Sequence, residues 1–150
     1  MSDTKIRTRL MKAEDFDAVV AIDEKVLKVS RPEYYKQKFE KLVQSKDYIP
    51  TSLVAEAEEG TVVGFVLGEL FIGEYGITQE TATLDTIGVD PTHQHKGIGE
   101  LLIQEIMDHL RTLGVHQINT LVDWNDIQLI HFFSVNHFSP SKRVNLVRNI

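Results

Sequence analysis

TATLDTIGVDPTHQHKGIGELLIQEIMDHLRTL, residues 81–113, decides how the rest of the chain is read. Residues 81–90 are rich in β-branched and apolar side chains and predict a strand, which Pro91 stops. From Gly97 to Leu113, Ile98, Leu101, Leu102, Ile106, Leu110 and Leu113 fall on one helical face. Glu100, Gln104, Glu105, Asp108 and Arg111 take the other face, and Gly114 suits the left-handed position that closes a helix. Between strand and helix lies the turn Gln94-His95-Lys96-Gly97-Ile98-Gly99. The first amides of a helix have no intrahelical acceptor and carry about half a positive charge between them, and glycine lets an anion approach the backbone. The turn is therefore an expected anion site.

Outward from this stretch, the pattern predicts a strand, two helices, three strands, a helix, a strand, a helix and a strand. Residues 5–10 alternate as an edge strand does. Residues 13–27 carry Phe16, Val19, Val20, Val26 and Leu27 at helical spacing. Ser30 and Glu33 form a capping-box pattern before a second helix that ends near Ser45, with Tyr35, Phe39, Leu42 and Val43 on its apolar stripe. Residues 53–57 and 61–71 predict a hairpin about Glu59-Gly60, in which Gly64 and Gly68 mark a bulge or the close approach of another backbone. A loop is expected over residues 73–79, a strand over 116–122, a helix over about 125–135 and a last strand within 138–150.

A chain of 150 residues is expected to form one domain, residues 1–150, which buries roughly 70% of the unfolded chain's surface. Cysteine is absent, which removes disulfides, thiolate metal sites and a cysteine nucleophile. The start of the chain is polar, and no apolar run approaches membrane-helix length. A cytoplasmic protein without membrane attachment is expected. The net charge of -6 argues against nucleic-acid binding, which needs a basic face; it either mildly favours a cationic partner or serves solubility alone.

The turn fits neither common nucleotide loop. A dinucleotide fingerprint needs a third glycine, and a P-loop needs its lysine after the second glycine, whereas Lys96 precedes both glycines. Gln-x-x-Gly-x-Gly between a central strand and an amphipathic helix instead resembles the acetyl-CoA pyrophosphate loop of the GNAT superfamily of N-acetyltransferases. Residues 84–91, Leu-Asp-Thr-Ile-Gly-Val-Asp-Pro, are similar to that family's fourth strand and its exit, and the order of elements matches.

The resemblance implies an α/β (α+β) fold with a mixed, mostly antiparallel central sheet flanked by about four helices. It also implies acetyl-CoA as co-substrate, with no metal. Backbone groups of Ile87, Gly88 and Val89 would hold the pantetheine arm, and the amides of Gln94, His95, Lys96, Gly97, Ile98 and Gly99 the pyrophosphate. His93 and His95 read as loop residues rather than metal ligands, because no third ligand lies near in sequence. Lys96 either adds charge to the site or is solvated.

The expected reaction is N-acetylation of a primary amine on a small molecule, protein or peptide, by direct attack in a ternary complex. Asp85 is the candidate general base, since an ionised carboxylate in an apolar strand is costly without a partner or a water-filled site. The alternative is that Asp85 pairs with a basic group of the fold. Thr83 stands where some family members carry a catalytic glutamate; Glu69 and Glu80 are reserves. Alignment with the family places Asp126 at an asparagine position and Phe133 at that of the tyrosine that protonates the thiolate, with His137 in place of a glycine. His131 and His137 are the candidate replacement acids, the alternative being surface or packed histidines, and Phe133 reads otherwise as core packing beside Phe132. An α-amino group or small amine is slightly favoured because it demands less of a base than a lysine side chain. A homodimer is compatible with this reading, and the competing one is a non-catalytic acyl-CoA-binding regulatory module.

Overall fold

The computed structural model describes residues 5–46, 48–71 and 81–150, with Phe71 by its backbone alone. The chain runs through β1 (Arg7–Leu10), a 3-10 turn (Ala13–Asp15), α1 (Phe16–Leu27), α2 (Pro32–Leu42), β2 (Leu53–Glu56), β3 (Val62–Phe71) and β4 (Thr81–Val89). A second 3-10 turn (Pro91–His93), α3 (Ile98–Thr112), β5 (Gln117–Thr120) and α4 (Ile127–Val135) follow. The strands form one mixed sheet in the order β1-β2-β3-β4-β5, antiparallel except for the parallel β4–β5 pair. This is the α+β architecture expected from the sequence. Among the described residues no helix is long and apolar enough to cross a membrane. The chain forms two compact units, Met1–Thr120 and Leu121–Ile150.

In the first unit the alternation along β3 serves two layers. Phe65 and Leu67 join Val19, Ile22, Tyr35, Phe39 and Val54 in the core under α1 and α2. Gly64 and Gly68 face α3: a Cβ on Gly64 would stand 3.2 Å from both Ile98 Cγ2 and Leu102 Cδ1, and one on Gly68 3.0 Å from Ile106 Cδ1. The two glycines thus let α3 settle on the sheet. Just before β2, the hydroxyls of Thr51 and Ser52 serve the backbone of Gly68: Thr51 Oγ1 donates to the Gly68 carbonyl at 2.6 Å and the Gly68 N–H donates to Ser52 Oγ at 3.1 Å.

A buried polar clamp joins α1 to α2. The Tyr35 hydroxyl donates to Asp23 Oδ1 at 2.7 Å, and Arg31 grips the same carboxylate through Nε and Nη2 at 2.9 and 2.7 Å. Burial and then the Asp23 hydrogen bond push the Tyr35 phenol far above its ordinary range, so it stays a neutral donor. The clamp also overrides the capping box expected at Ser30. Arg31 occupies the N-cap of α2 with no side-chain cap bond, because its backbone has turned to bring the guanidinium to Asp23 and over the Tyr34 ring, 4.6 Å from the centroid.

In the second unit, the Asp126 carboxylate caps α4 by accepting from the Leu129 N–H at 3.2 Å. The helix closes in a Schellman arrangement: the His137 N–H donates to Ser134 O and the Phe138 N–H to Phe133 O, with the Phe133 and Phe138 rings 5.0 Å apart. His137, at φ 71°, holds the left-handed position usually given to glycine. The final strand expected within residues 138–150 is not formed. A strand exists only through its ladder, and Ser141 Oγ instead accepts from the Arg143 N–H in a local turn, while Val144, Leu146 and Val147 remain exposed.

Removing the Tyr35 hydroxyl deprives a buried carboxylate of a donor. Tyr35→Phe is expected to cost about 1.5–3 kcal/mol in urea denaturation, the range for hydrogen bonds to charged groups. An unchanged midpoint would show that Arg31 alone satisfies Asp23.

Candidate active site

The ladder between β3 and β4 slips in register at one point. Leu67 faces Thr86 and Gly68 faces Leu84, so Asp85 is the extra residue of a bulge. Consecutive side chains of a regular strand point to opposite faces, but here both Asp85 and Thr86 meet α2. Asp85 Oδ2 lies 2.6 Å from Lys38 Nζ, and Thr86 Oγ1 shares a 3.1 Å hydrogen bond with the Tyr34 hydroxyl.

The same point ends the pairing on the other edge of β4. Its ladder with β5 runs from Thr81–Gln117 to Leu84–Thr120, where Thr120 Oγ1 donates to the Leu84 carbonyl at 2.9 Å. No strand among the described residues pairs with Asp85 to Val89 on that edge. Asp90 N–H donates to Val63 O, so strand alternation turns the backbone groups of Gly88 toward β3 and those of Ile87 and Val89 outward. Gln94 Nε2 donates to the outward Val89 carbonyl at 3.2 Å.

From here the chain enters the expected anion turn. Asp90 caps the 3-10 turn by accepting from the N–H and hydroxyl of Thr92 at 3.0 and 2.8 Å, and it pairs with Lys25 of α1 at 2.9 Å. Burial works against the Asp90 carboxylate, but the Lys25 and Thr92 hydrogen bonds outweigh it and hold it down at about 2. His95 and Gly97 both adopt left-handed backbone, at φ 64° and 78°. Alternation of this kind gathers successive N–H groups into a concavity that accepts anions. No side chain caps α3, whose first residue, Ile98, is buried over Gly64. Gln94, His95, Lys96 and Gly97 are exposed, and Gly99 is half-buried.

Two carboxylates stand beneath α2. Glu69, opposite Thr83 in register, is buried and lies 2.5 Å from Lys41 Nζ. The Glu69 hydrogen bond raises the Lys41 ammonium above its ordinary range despite desolvation. Asp85 Oδ2 is wholly inaccessible and has no well-aligned hydrogen bond; Lys38 is close to it but out of line, so that attraction is that of an ion pair. Lys38 is thus the basic group that stands beside Asp85. Glu80 and the loop over 73–79 lie outside the described residues.

Sequence reasoning missed Lys38, Lys41 and Tyr34. A signal was present: Tyr34, Lys38 and Lys41 repeat at i, i+4 and i+7, one position ahead of the apolar stripe Tyr35, Phe39 and Leu42. The remaining named residues belong to the second unit. Asp126 caps α4, Phe133 is buried among Phe132 and Phe138, and His131 and His137 are exposed. Among the described residues no group of three or more His, Asp or Glu is placed to hold a metal ion.

A carboxylate whose folded pKa is depressed stabilises the fold above its unfolded value and loses that contribution as pH falls through the folded one. Asp90 therefore contributes in full above about pH 4 and loses its contribution toward pH 2. Asp90→Asn is expected to flatten the fall in stability between these values in acid titrations of denaturation midpoints, leaving the part due to Asp15, which is also held down. Superimposable acid limbs would remove Asp90 from the linkage.

Comparison with known proteins gives a consistent picture. The profile described as the Acetyltransferase (GNAT) family matches residues 16–138. The chain is 33% identical over 87 residues to a mycothiol acetyltransferase of Propionibacterium freudenreichii subsp. shermanii, covering 58% of this chain and 27% of that protein. It is 29% identical over 135 residues to an L-2,4-diaminobutyric acid acetyltransferase of Nocardia farcinica, covering 87% of this chain and 64% of that protein. The chain thus spans less than two thirds of the length of both relatives. Its fold superposes with TM-score 0.79 on the aminoglycoside N-acetyltransferase AAC(6')-Iy in complex with CoA, at 15% identity, covering 99% of this chain and 97% of that one.

Proposed function

Because the chain belongs to the GNAT acetyltransferase family, we propose that it transfers an acetyl group from acetyl-CoA to a primary amine, and that β4 organises both substrates. The single observation that supports this best is the coincidence at Asp85. There the β5 ladder ends, the bulge begins, and a carboxylate faces α2.

The outward backbone groups of Ile87 and Val89 suit an extended amide-bearing arm, which would add to the free edge as a strand does. The amides of residues 95–99 suit its diphosphate, since several convergent N–H groups and a helix end serve two negative charges without depending on side-chain type. A backbone N–H of β4 near the thioester carbonyl is also a ready donor to the oxyanion formed on attack. The acetyl-CoA chemistry used is that of an activated acyl donor.

Asp85 serves as the base that relieves the incoming ammonium of its proton, directly or through one water. The amine nitrogen then forms the new C–N bond, the C–S bond breaks, and the second proton shed by nitrogen passes to the departing thiolate or to solvent, giving the amide and free CoA. Cysteine is absent, so no cysteinyl intermediate precedes this attack. A thiol is acidic enough to depart tolerably as thiolate, so the lack of a tyrosine at Phe133 slows the reaction without forbidding it. An α-amino group or another weakly basic small amine asks least of Asp85.

Release of free CoA from acetyl-CoA across a panel of amines tests the proposal. Turnover with at least one amine, reduced about 100-fold or more in Asp85→Asn, is the expected result, since positioned acid-base groups are typically worth that much. No release with any amine, together with stabilisation by acetyl-CoA, would leave a coenzyme-binding module in its place.

A further inference from the structure

The candidate site holds more charge than acetyl transfer to a simple cation requires. Lys38 and Lys41, one turn apart on α2, stand on Asp85 and Glu69 at 2.6 and 2.5 Å. The carboxylates lie beneath, with side chains 20% and 8% exposed, and the lysines lie outside, at 25% and 45%. Each ammonium also rests near an aromatic face, Lys38 5.6 Å from the Tyr34 centroid and Lys41 5.6 Å from that of Tyr48. Lys41 clearly covers Glu69, while Lys38 and Asp85 are exposed to nearly the same extent, so an acceptor at these carboxylates meets both lysines.

A plain amine that reached Asp85 as its ammonium would displace Lys38 and leave two like charges side by side, at a cost that grows with desolvation. An acceptor that brings its own anion avoids this. Its ammonium replaces a lysine at the carboxylate, and its carboxylate receives the displaced lysine, so each of these charged groups keeps an opposite partner. We infer that the acceptor is a zwitterion of the amino-acid class: its amine goes to Asp85 and Glu69, and its carboxylate to Lys38 and Lys41. The inference rests on the reading of Asp85 as the place the acceptor amine reaches. It adds that α2 supplies a counter-charge that selects the acceptor.

Matched ligands test it: 2,4-diaminobutyrate against 1,3-diaminopropane, ornithine against putrescine, and lysine against cadaverine. Each pair shares its amines and differs by the carboxylate. In calorimetric titrations of the CoA-saturated protein, at least one amino acid is expected to bind about 10-fold or more tighter than its partner, as befits a desolvated charge-assisted contact. The gap is expected to close in Lys38→Met or Lys41→Met and to return in Lys38→Arg or Lys41→Arg, with thermal unfolding used to confirm that the variants fold. Equal or tighter binding of every diamine, a gap unmoved in both methionine variants, or no binding of any amino acid would overturn the inference. A preserved gap without CoA release in the transfer assay would support the zwitterion site while removing the proposed reaction, so the two failures are distinct.

Discussion

The end of the β4–β5 ladder at Leu84 and Thr120 is the constraint on which the candidate site depends. Below that point β4 is an interior strand, paired on both sides. Beyond it, through Val89, β4 pairs among the described residues with β3 alone and presents outward backbone groups on its other edge. An open strand edge is ordinarily a hazard, because it invites pairing with any extended chain. In the reading developed above, the extended arm of a coenzyme uses it.

The bulge at Asp85 gives this edge a polar face. One extra residue turns two successive polar side chains toward α2, so that a carboxylate and a hydroxyl share a face at the point where the pairing stops. Gly64 and Gly68 bring α3 close on the opposite face, and Ile98 anchors the first turn of α3 there. Asp90 and Lys25 fix the exit of β4 to α1. The turn at residues 94–99 is consequently held from both of its ends.

What the sequence disclosed, and what it hid, follows from the range of the interactions involved. The anion turn was legible because its parts are adjacent: Pro91 stops a strand, Gly97 takes a left-handed backbone, and the stripe from Ile98 onward is a helix. The hairpin about Gly60 and the closing Gly114 were legible for the same local reason. The Ser30 capping box failed because a distant contact, Arg31 with Asp23, outcompeted a local hydrogen bond. Lys38 and Lys41 went unread, since their spacing on the helix does not by itself name the carboxylates of β3 and β4 that they meet. The last strand, expected within residues 138–150, needs a ladder partner that a local reading of the sequence does not supply.

The central claim is that the outward edge of β4 and the turn after it hold acetyl-CoA together. Amide hydrogen exchange of the isotope-labelled protein, followed by NMR with and without acetyl-CoA, tests this most directly. Protection is expected to rise at Ile87 or Val89 and across residues 95–99, and to change little at Gly88, which already faces β3. Saturable binding with no added protection at either Ile87 or Val89, or with protection gathered elsewhere on the sheet, would contradict the account.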